Sequence, residues 1–237
     1  MITENILLSS RFLTSKWLII ILSTFVLFFA LIMAVTKRKG FSYQVKIIYF
    51  YLIGATVFEM IAWSIIVLPF KIHQNHWVHN TFNIFEYSCL CFYFYHTINN
   101  KKIKEFIKFI SIAGFILILG ITFKHFEKIN IIDTLSSSIG MIIIICFVLL
   151  HFYEILYTDK TENLLTYTIF WISSGILIYF TGYFFVNLFS DLLLFDKINV
   201  PIWYYSIYYI LLIFFRIFLT MGLWFSTAPI QSNLSLK

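Results

Sequence analysis

Charged residues are scarce in this chain. Only 12% of its 237 residues are Asp, Glu, Lys or Arg, whereas an ordinary soluble domain has about 25%. Hydrophobic residues make up 61%, and the mean hydropathy is +0.90. There is too little polar surface to cover a soluble core, so a water-soluble globule is excluded. Most side chains are expected to face lipid or other membrane helices.

Proline and glycine are also rare, at 3 and 8 residues, which argues against a disordered or loop-rich chain. No stretch alternates apolar and polar residues as the strands of a membrane barrel would. The sequence therefore predicts an all-α, polytopic membrane helix bundle that forms a single transmembrane domain over 1–237.

Familiar chemical motifs are missing as well. There is no H-E-x-x-H, no G-x-S-x-G, no P-loop and no nucleic-acid-binding module. Cys89, Cys91 and Cys146 fall inside apolar stretches, where a small apolar packing role is the ordinary one. We therefore expect no metal, no other cofactor and no nucleic-acid partner.

Seven stretches are long enough to cross a bilayer at about 20 apolar residues each. They cover 17–35, 47–69, 79–98, 106–123, 135–157, 165–189 and 203–224. The third has the lowest hydropathy because Asn80, Asn83 and Glu86 lie in its first turns. The first is expected to stay attached as a helix, because it ends in Lys37-Arg38-Lys39 and lacks a small-residue cleavage site.

Basic residues predict the orientation, since Lys and Arg near helix ends are retained in the cytoplasm. Seven crossings place ten of the 17 Lys and Arg residues on one side and six on the other, and Arg216 lies within the last crossing. The N-terminus is then outside a bacterial cytoplasmic membrane and the C-terminus is cytoplasmic. The ten are Lys37, Arg38, Lys39, Lys46, Lys101, Lys102, Lys104, Lys108, Lys160 and Lys237. They would form a basic rim that faces anionic lipid headgroups.

Two segments resemble each other. Lys71-Ile72 is followed after four residues by Trp77, and Lys197-Ile198 is followed after four residues by Trp203. Each comes after a stretch with an early glycine, Gly54 or Gly175. The pattern favours a parallel three-plus-one-plus-three repeat with the fourth helix as linker, although matches of this kind also arise by chance in so apolar a chain.

Polar residues at membrane depth are the candidate functional residues, because each costs about 2.5–3.5 kcal/mol at the centre of a spanning helix. The ligand or pathway candidates are Glu59, His79, Asn83, Glu86, Asn187 and Arg216. Secondary candidates are His151, Glu154, Tyr205 and Tyr209.

The third stretch carries a polar stripe. His76, His79, Asn83 and Glu86 are spaced three, four and three residues apart, so they share one helix face. One interpretation is a water-accessible pocket, open to the outside, with Glu86 at its floor. The alternative is that these side chains hold neighbouring helices together. For His73, His76 and His79, a solvated cluster is favoured over a metal site.

Arg216 is the strongest single signal. Its guanidinium stays charged and lies too deep to reach either surface easily. It therefore must pair with an acidic side chain. Glu59 and Glu154 are at suitable depth. The pair would either lock two helices together or form an anion site or a switchable ion pair. We predict that Glu59, Glu86 and Arg216 all face the bundle interior.

The run 79–87, HNTFNIFEY, the run 174–180, SGILIYF, and the tryptophan-led last helix carry a resemblance. They resemble small bacterial seven-helix membrane proteins similar to the membrane input regions of sensor histidine kinases. The resemblance implies a sensory or regulatory role without catalytic residues. Because the chain stops at Lys237, soon after the last helix, the effector is expected to be a separate cytoplasmic or membrane protein.

Three functions remain open at this point. The first is a membrane sensor or regulatory subunit that reads an extracytoplasmic ligand or a partner. The second is a small-solute transporter or channel with a midplane site around Glu59, Glu86 and Arg216. The third, less favoured, is an intramembrane enzyme that uses His79, Glu86 or the His151 and Glu154 pair.

Overall fold

A computed structural model describes residues 2–67, 76–124, 134–158, 164–193 and 202–226, with side chains for 17–65, 77–124, 134–157, 164–189 and 206–226. All regular structure in this part of the chain is helical, as predicted. The helices are α1 (Ile2–Lys37), α2 (Tyr43–Val67), α3 (His76–Thr97), α4 (Lys101–Lys124), α5 (Thr134–Thr158), α6 (Thr168–Leu193) and α7 (Ile202–Phe225). Short 3-10 turns, Arg38–Gly40 and Leu164–Thr166, precede α2 and α6.

Several helices extend beyond their apolar cores. α1 begins at Ile2 rather than at 17, and α2 begins at Tyr43 rather than at 47. α4 begins at Lys101 rather than at 106, because Asn100 caps it. The Asn100 side-chain oxygen accepts hydrogen bonds from the backbone N–H groups of Lys102 (3.0 Å) and Ile103 (3.4 Å). Hydropathy detects the apolar core of such a helix and misses its polar ends.

Six helices in the described part are long and apolar enough to cross a membrane, which indicates an integral membrane protein. The six spans are Trp17–Gly40, Tyr43–Ile65, Lys101–Lys124, Thr134–Tyr157, Thr168–Phe189 and Ser206–Phe225. The helix missing from this set is α3, whose first turns are the most polar ones, as the sequence indicates.

The helices form a ring in which each packs against its neighbours. The order is α1, α2, α3, α5, α6 and α7, and α7 packs against α1. α4 lies outside the ring against α3 and α5. Its only buried residues are Ile107, Gly114 and Ile118, so most of its apolar surface faces outward, as expected for a helix in lipid.

Polar contacts mark one end of the bundle, which we call the Lys101 end. There Lys37 of α1 donates a hydrogen bond to the Trp224 carbonyl of α7 (3.1 Å) and lies 4.1 Å from the Trp224 ring centroid. At the same end, Glu154 of α5 accepts hydrogen bonds from the backbone N–H groups of Asn99 (3.0 Å) and Asn100 (2.8 Å). The opposite end, where α3 begins, is called the Trp77 end.

Glycines allow the closest helix approaches. A Cβ added at Gly175 of α6 would lie 2.6 Å from Phe218 Cβ of α7, closer than packed atoms allow. A Cβ at Gly120 of α4 would meet nothing within 4 Å. Gly175→Ala should therefore lower the free energy of unfolding by about 1–3 kcal/mol through overpacking.

Gly120→Ala is the matched control, since its added methyl group enters open space and improves helix propensity. Denaturation of both variants in mixed detergent micelles would measure the two effects. Equal stability of the two variants would contradict the close packing of α6 on α7.

Candidate functional site

Arg216 of α7 is buried and binds two other helices. Its Nη1 donates to the Ser23 carbonyl (2.6 Å) and to Ser23 Oγ (2.7 Å) of α1, and its Nη2 donates to Glu59 Oε2 (3.0 Å) of α2. The prediction that Arg216 pairs with an acid is confirmed. The partner is Glu59 and not Glu154, which lies at the Lys101 end.

Glu59 is held on its other side as well. Its Oε1 accepts a hydrogen bond from Thr24 Oγ1 (2.8 Å), and Thr24 Oγ1 accepts one from Trp63 Nε1 (3.2 Å). We call Ser23, Thr24, Glu59, Trp63 and Arg216 the Arg216 cluster. Each charge in the cluster is compensated by groups from facing helices, which is what a buried ion pair requires.

Glu86 of α3 is 4% exposed and accepts a hydrogen bond from the Tyr51 hydroxyl of α2 (2.7 Å). The Tyr51 ring in turn lies 6.1 Å from the ring of Phe215, the residue that precedes Arg216. Within the described residues, Tyr51 is the single hydrogen-bond donor to this carboxylate. The predicted interior position of Glu86 is confirmed.

The other members of the polar stripe contact different helices. His79 Nε2 is 3.2 Å from the Tyr183 hydroxyl of α6, and Asn83 Nδ2 donates to Ser137 Oγ of α5 (2.7 Å). The side chain of His76 and all of His73 lie outside the described residues. The stripe therefore faces inward, but it fans out over α2, α5 and α6 instead of lining one wall.

The remaining α6 and α7 candidates lie nearer the Trp77 end. Asn187 is 1% exposed, and its amide nitrogen is 4.0 Å from the sulfur of Met141 in α5. Tyr209 is half-buried, with its ring centroid 5.1 Å from that of Tyr208. The side chain of Tyr205 lies outside the described residues.

His151 and Glu154 do not form an acid–base pair. His151 is 2% exposed, neither ring nitrogen has a hydrogen-bond partner, and the ring packs beside Phe94 and Phe152. Glu154 binds the backbone N–H groups of Asn99 and Asn100. Its evident role is to fasten α5 to the α3–α4 turn.

Five residues around Arg216 and Glu86 were not predicted from the sequence, namely Ser23, Thr24, Tyr51, Trp63 and Tyr179. One signal was available for α1, because Ser23 and Thr24 are the sole polar pair between Trp17 and Val35. No comparable signal marks Tyr51 or Tyr179, since they are two of 15 tyrosines and aromatic residues are common throughout membrane helices.

No group of three or more His, Cys, Asp or Glu side chains is placed to hold a metal ion within the described part of the chain. The arrangement can do two things chemically. It can hold helices together through the Arg216 cluster, and it can accept a further hydrogen bond at the Glu86 carboxylate, which uses one oxygen for Tyr51. No protein-family model, curated protein or solved structure matches this chain, so its function has to be inferred from these residues.

Proposed function

We propose that this protein is a membrane sensor or regulatory subunit, with an outward-facing polar pocket and a cytoplasmic end that acts on a separate partner protein. The observation that carries the proposal is the binding of Arg216 to both α1 and α2. One buried side chain thus joins three helices next to Glu86. A change in the charge of Glu86 would alter the electric field at Arg216, the side chain that joins α7 to α1 and α2 in the ring of helices.

Arg216 has two acids within reach of its charge. It is paired with Glu59 at 3.0 Å, and Glu86 lies nearby, since its partner Tyr51 has its ring 6.1 Å from that of Phe215, the residue before Arg216. A ligand that neutralises the charge of Glu86 would strengthen the pairing of Arg216 with Glu59. Without that ligand, the Glu86 carboxylate would attract Arg216 away from Glu59. The structure holds the arrangement in which Arg216 pairs with Glu59. We propose that Arg216 also has a second arrangement, shifted toward Glu86, and that the two together form the bistable element that a switch needs.

The same two helices carry the signal to the Lys101 end. α1 and α7 are joined by Arg216 and Ser23 in the bundle and by Lys37 and Trp224 at the end. Exposed basic side chains surround this end, among them Lys101, Lys102 and Lys108. They suit an acidic partner surface or anionic lipid headgroups.

We further propose seven crossings, with the Lys101 end in the cytoplasm of a bacterium. The excess of Lys and Arg at that end supports the orientation. The inward contacts of His79, Asn83 and Glu86 support a crossing by α3, because a polar side chain that is bonded inside the bundle avoids lipid.

Purification of the tagged full chain from its native membranes in mild detergent would test the proposal. We expect a stoichiometric partner with the wild type. Glu86→Gln should accumulate normally but change the amount of bound partner by at least about fivefold, the lower end of typical coupling energies. Glu105→Gln, an exposed change on α4, is the control. Equal partner recovery with all three proteins, or no partner at all, would contradict the proposal.

Transport is the second candidate, and the helix arrangement favours it. α1–α3 and α5–α7 make up the ring while α4 lies outside, and the contact of α3 with α5 is matched by that of α7 with α1. A parallel three-plus-one-plus-three repeat would give these matched contacts. In each half a glycine of the middle helix, Gly54 or Gly175, faces a phenylalanine of the next helix.

The two candidates differ in what a purified chain does alone. A transporter or channel moves solute across a liposome membrane without a partner, whereas a sensor does not. Flux of a small cation or amine that is lost in Glu86→Gln and kept in Glu105→Gln would replace the first proposal with the second.

A further inference from the structure

We propose that the outer face of α3, between α2 and α4, binds one anionic phospholipid at the Lys101 end of the bundle. Lys46 of α2, His96 of α3 and Lys104 of α4 would hold the phosphate group of the lipid, and exposed aromatic rings below them would contact its acyl chains. The site is separate from Glu86 and Arg216, so the inference does not depend on the proposed function.

The three polar side chains lie at the same depth. α2 and α4 begin at this end of the bundle and α3 ends there. Lys46 and Lys104 are each the fourth residue of their helix, and His96 is the second-last residue of α3. All three therefore lie within about one helical turn of the bundle end. This is the level at which basic side chains meet lipid headgroups.

Contacts between rings and amino groups place these residues around one face of α3. The Nζ of Lys104 lies 4.8 Å from the ring centroid of Tyr95, the neighbour of His96. On the other side, the Tyr43 ring of α2 lies 4.8 Å from the His96 ring. Lys46 follows Tyr43 by three residues, so the two share one face of α2. Basic residues of α2 and α4 thus stand on either side of the half-buried His96.

No acid balances these cations within the described part of the chain. Lys46 is exposed, and neither it nor Lys104 forms an ion pair there. Of the described acids at this end, Glu154 binds the α3–α4 turn, and Glu105 is exposed and points about 100° away from Lys104. The ring of His96 makes no hydrogen bond to any described residue, so its N–H is available. An anionic headgroup supplies the missing negative charge.

An exposed aromatic floor continues from His96 toward the middle of the bundle. Phe92 of α3 is 47% exposed, and its ring centroid lies 4.5 Å from that of His96. Phe50 of α2 is 60% exposed and lies 5.8 Å from the ring of Phe85. Phe85 and Phe92 are about 10 Å apart along α3. An apolar floor of this length below a basic rim matches a lipid with acyl chains, whereas an acidic protein segment would match the rim alone.

Native mass spectrometry of the full chain in detergent micelles tests the inference. The anionic probe is dioleoylphosphatidylglycerol and the zwitterionic probe is dioleoylphosphatidylcholine. We expect one phosphatidylglycerol to bind at least about tenfold more tightly than phosphatidylcholine, because each of the two lysines contributes about fivefold. Lys46→Gln and Lys104→Gln should each weaken phosphatidylglycerol binding by about fivefold and leave phosphatidylcholine binding unchanged. Lys104→Arg should retain the preference, since it keeps the charge.

Two other lysines of α4 provide matched controls. Lys102 is exposed at the same end but points about 200° away from Lys104. Lys124 is exposed at the Trp77 end. Lys102→Gln and Lys124→Gln should leave phosphatidylglycerol binding unchanged. Exposed substitutions of this kind rarely affect folding, and thermal unfolding of each variant checks that the bundle is intact.

Several results would overturn the inference. Equal binding of the two lipids, or binding that survives both Lys46→Gln and Lys104→Gln, would remove the role of these side chains. A loss in Lys102→Gln as large as that in Lys104→Gln would show a diffuse attraction to the whole basic end. Displacement of the lipid by an equimolar hexaglutamate peptide would identify an acidic protein segment as the occupant.

Discussion

Glu59→Leu is expected to be among the most destabilising single substitutions in the described part of the chain. It leaves the Arg216 guanidinium buried with Ser23 as its partner. Breaking a buried ion pair by removing one member costs about 3–5 kcal/mol. The Glu59 side chain keeps 18% exposure, so we expect a loss near the lower figure in the free energy of unfolding, measured by denaturation in mixed micelles.

The double variant Glu59→Leu with Arg216→Met tests whether this loss comes from the unpaired Arg216 charge. It removes both charges and keeps similar volumes, and such replacements are often neutral or stabilising. We expect it to recover most of the lost stability. Glu105→Gln should change stability by less than about 0.5 kcal/mol, as exposed substitutions usually do. A double variant as unstable as the sum of its parts would contradict the pairing.

The second large effect concerns topology and is all-or-none. With Cys89, Cys91 and Cys146 replaced by Ala, single cysteines at Gly40, Asn99 and Lys124 report on the ends of α1, α3 and α4. In intact cells whose outer layers admit the reagent, a membrane-impermeant maleimide should label position 124 and spare positions 40 and 99. Permeabilisation should make the latter two reactive.

Each alternative topology gives a different pattern. If α3 does not cross the membrane, position 99 is labelled on the opposite side from position 40. If the orientation is reversed, all three sites exchange behaviour. Both results would remove the cytoplasmic assignment of the Lys101 end, and the first would also remove the seventh crossing.

The sequence was sufficient to predict the helices and an acidic partner for Arg216, but it left Glu59 and Glu154 as alternatives for that partner. Apolar runs located every helix, because length and composition alone decide whether a segment is stable in lipid. An acidic partner for Arg216 could be predicted because few charges lie at that depth and a buried charge needs a partner; the structure selects Glu59. The low hydropathy of α3 was also visible in the sequence, because Asn80, Asn83 and Glu86 lie in its first turns.

The remaining contacts depend on how the helices are rotated about their axes, which composition does not encode. Ser23 and Tyr51 became partners of Arg216 and Glu86 through that rotation. His151 and Glu154 share a helix face in the sequence, yet the structure buries one and binds the other to backbone groups of the α3–α4 turn. Neighbouring positions on one helix can therefore face unrelated environments.

In the proposed mechanism, the Arg216 cluster controls the Lys101 end through α1 and α7. Dipolar broadening in continuous-wave electron paramagnetic resonance between spin labels at Arg38 and Ser226 in nanodiscs tests it most directly, because the contact of Lys37 with Trp224 keeps these positions close together. Glu59→Leu should shift or broaden the distance distribution by about 2–5 Å, the scale of helix shifts in switching proteins, while Glu105→Gln should match the wild type. Identical distributions in the folded wild type and the folded Glu59→Leu variant would contradict the claim.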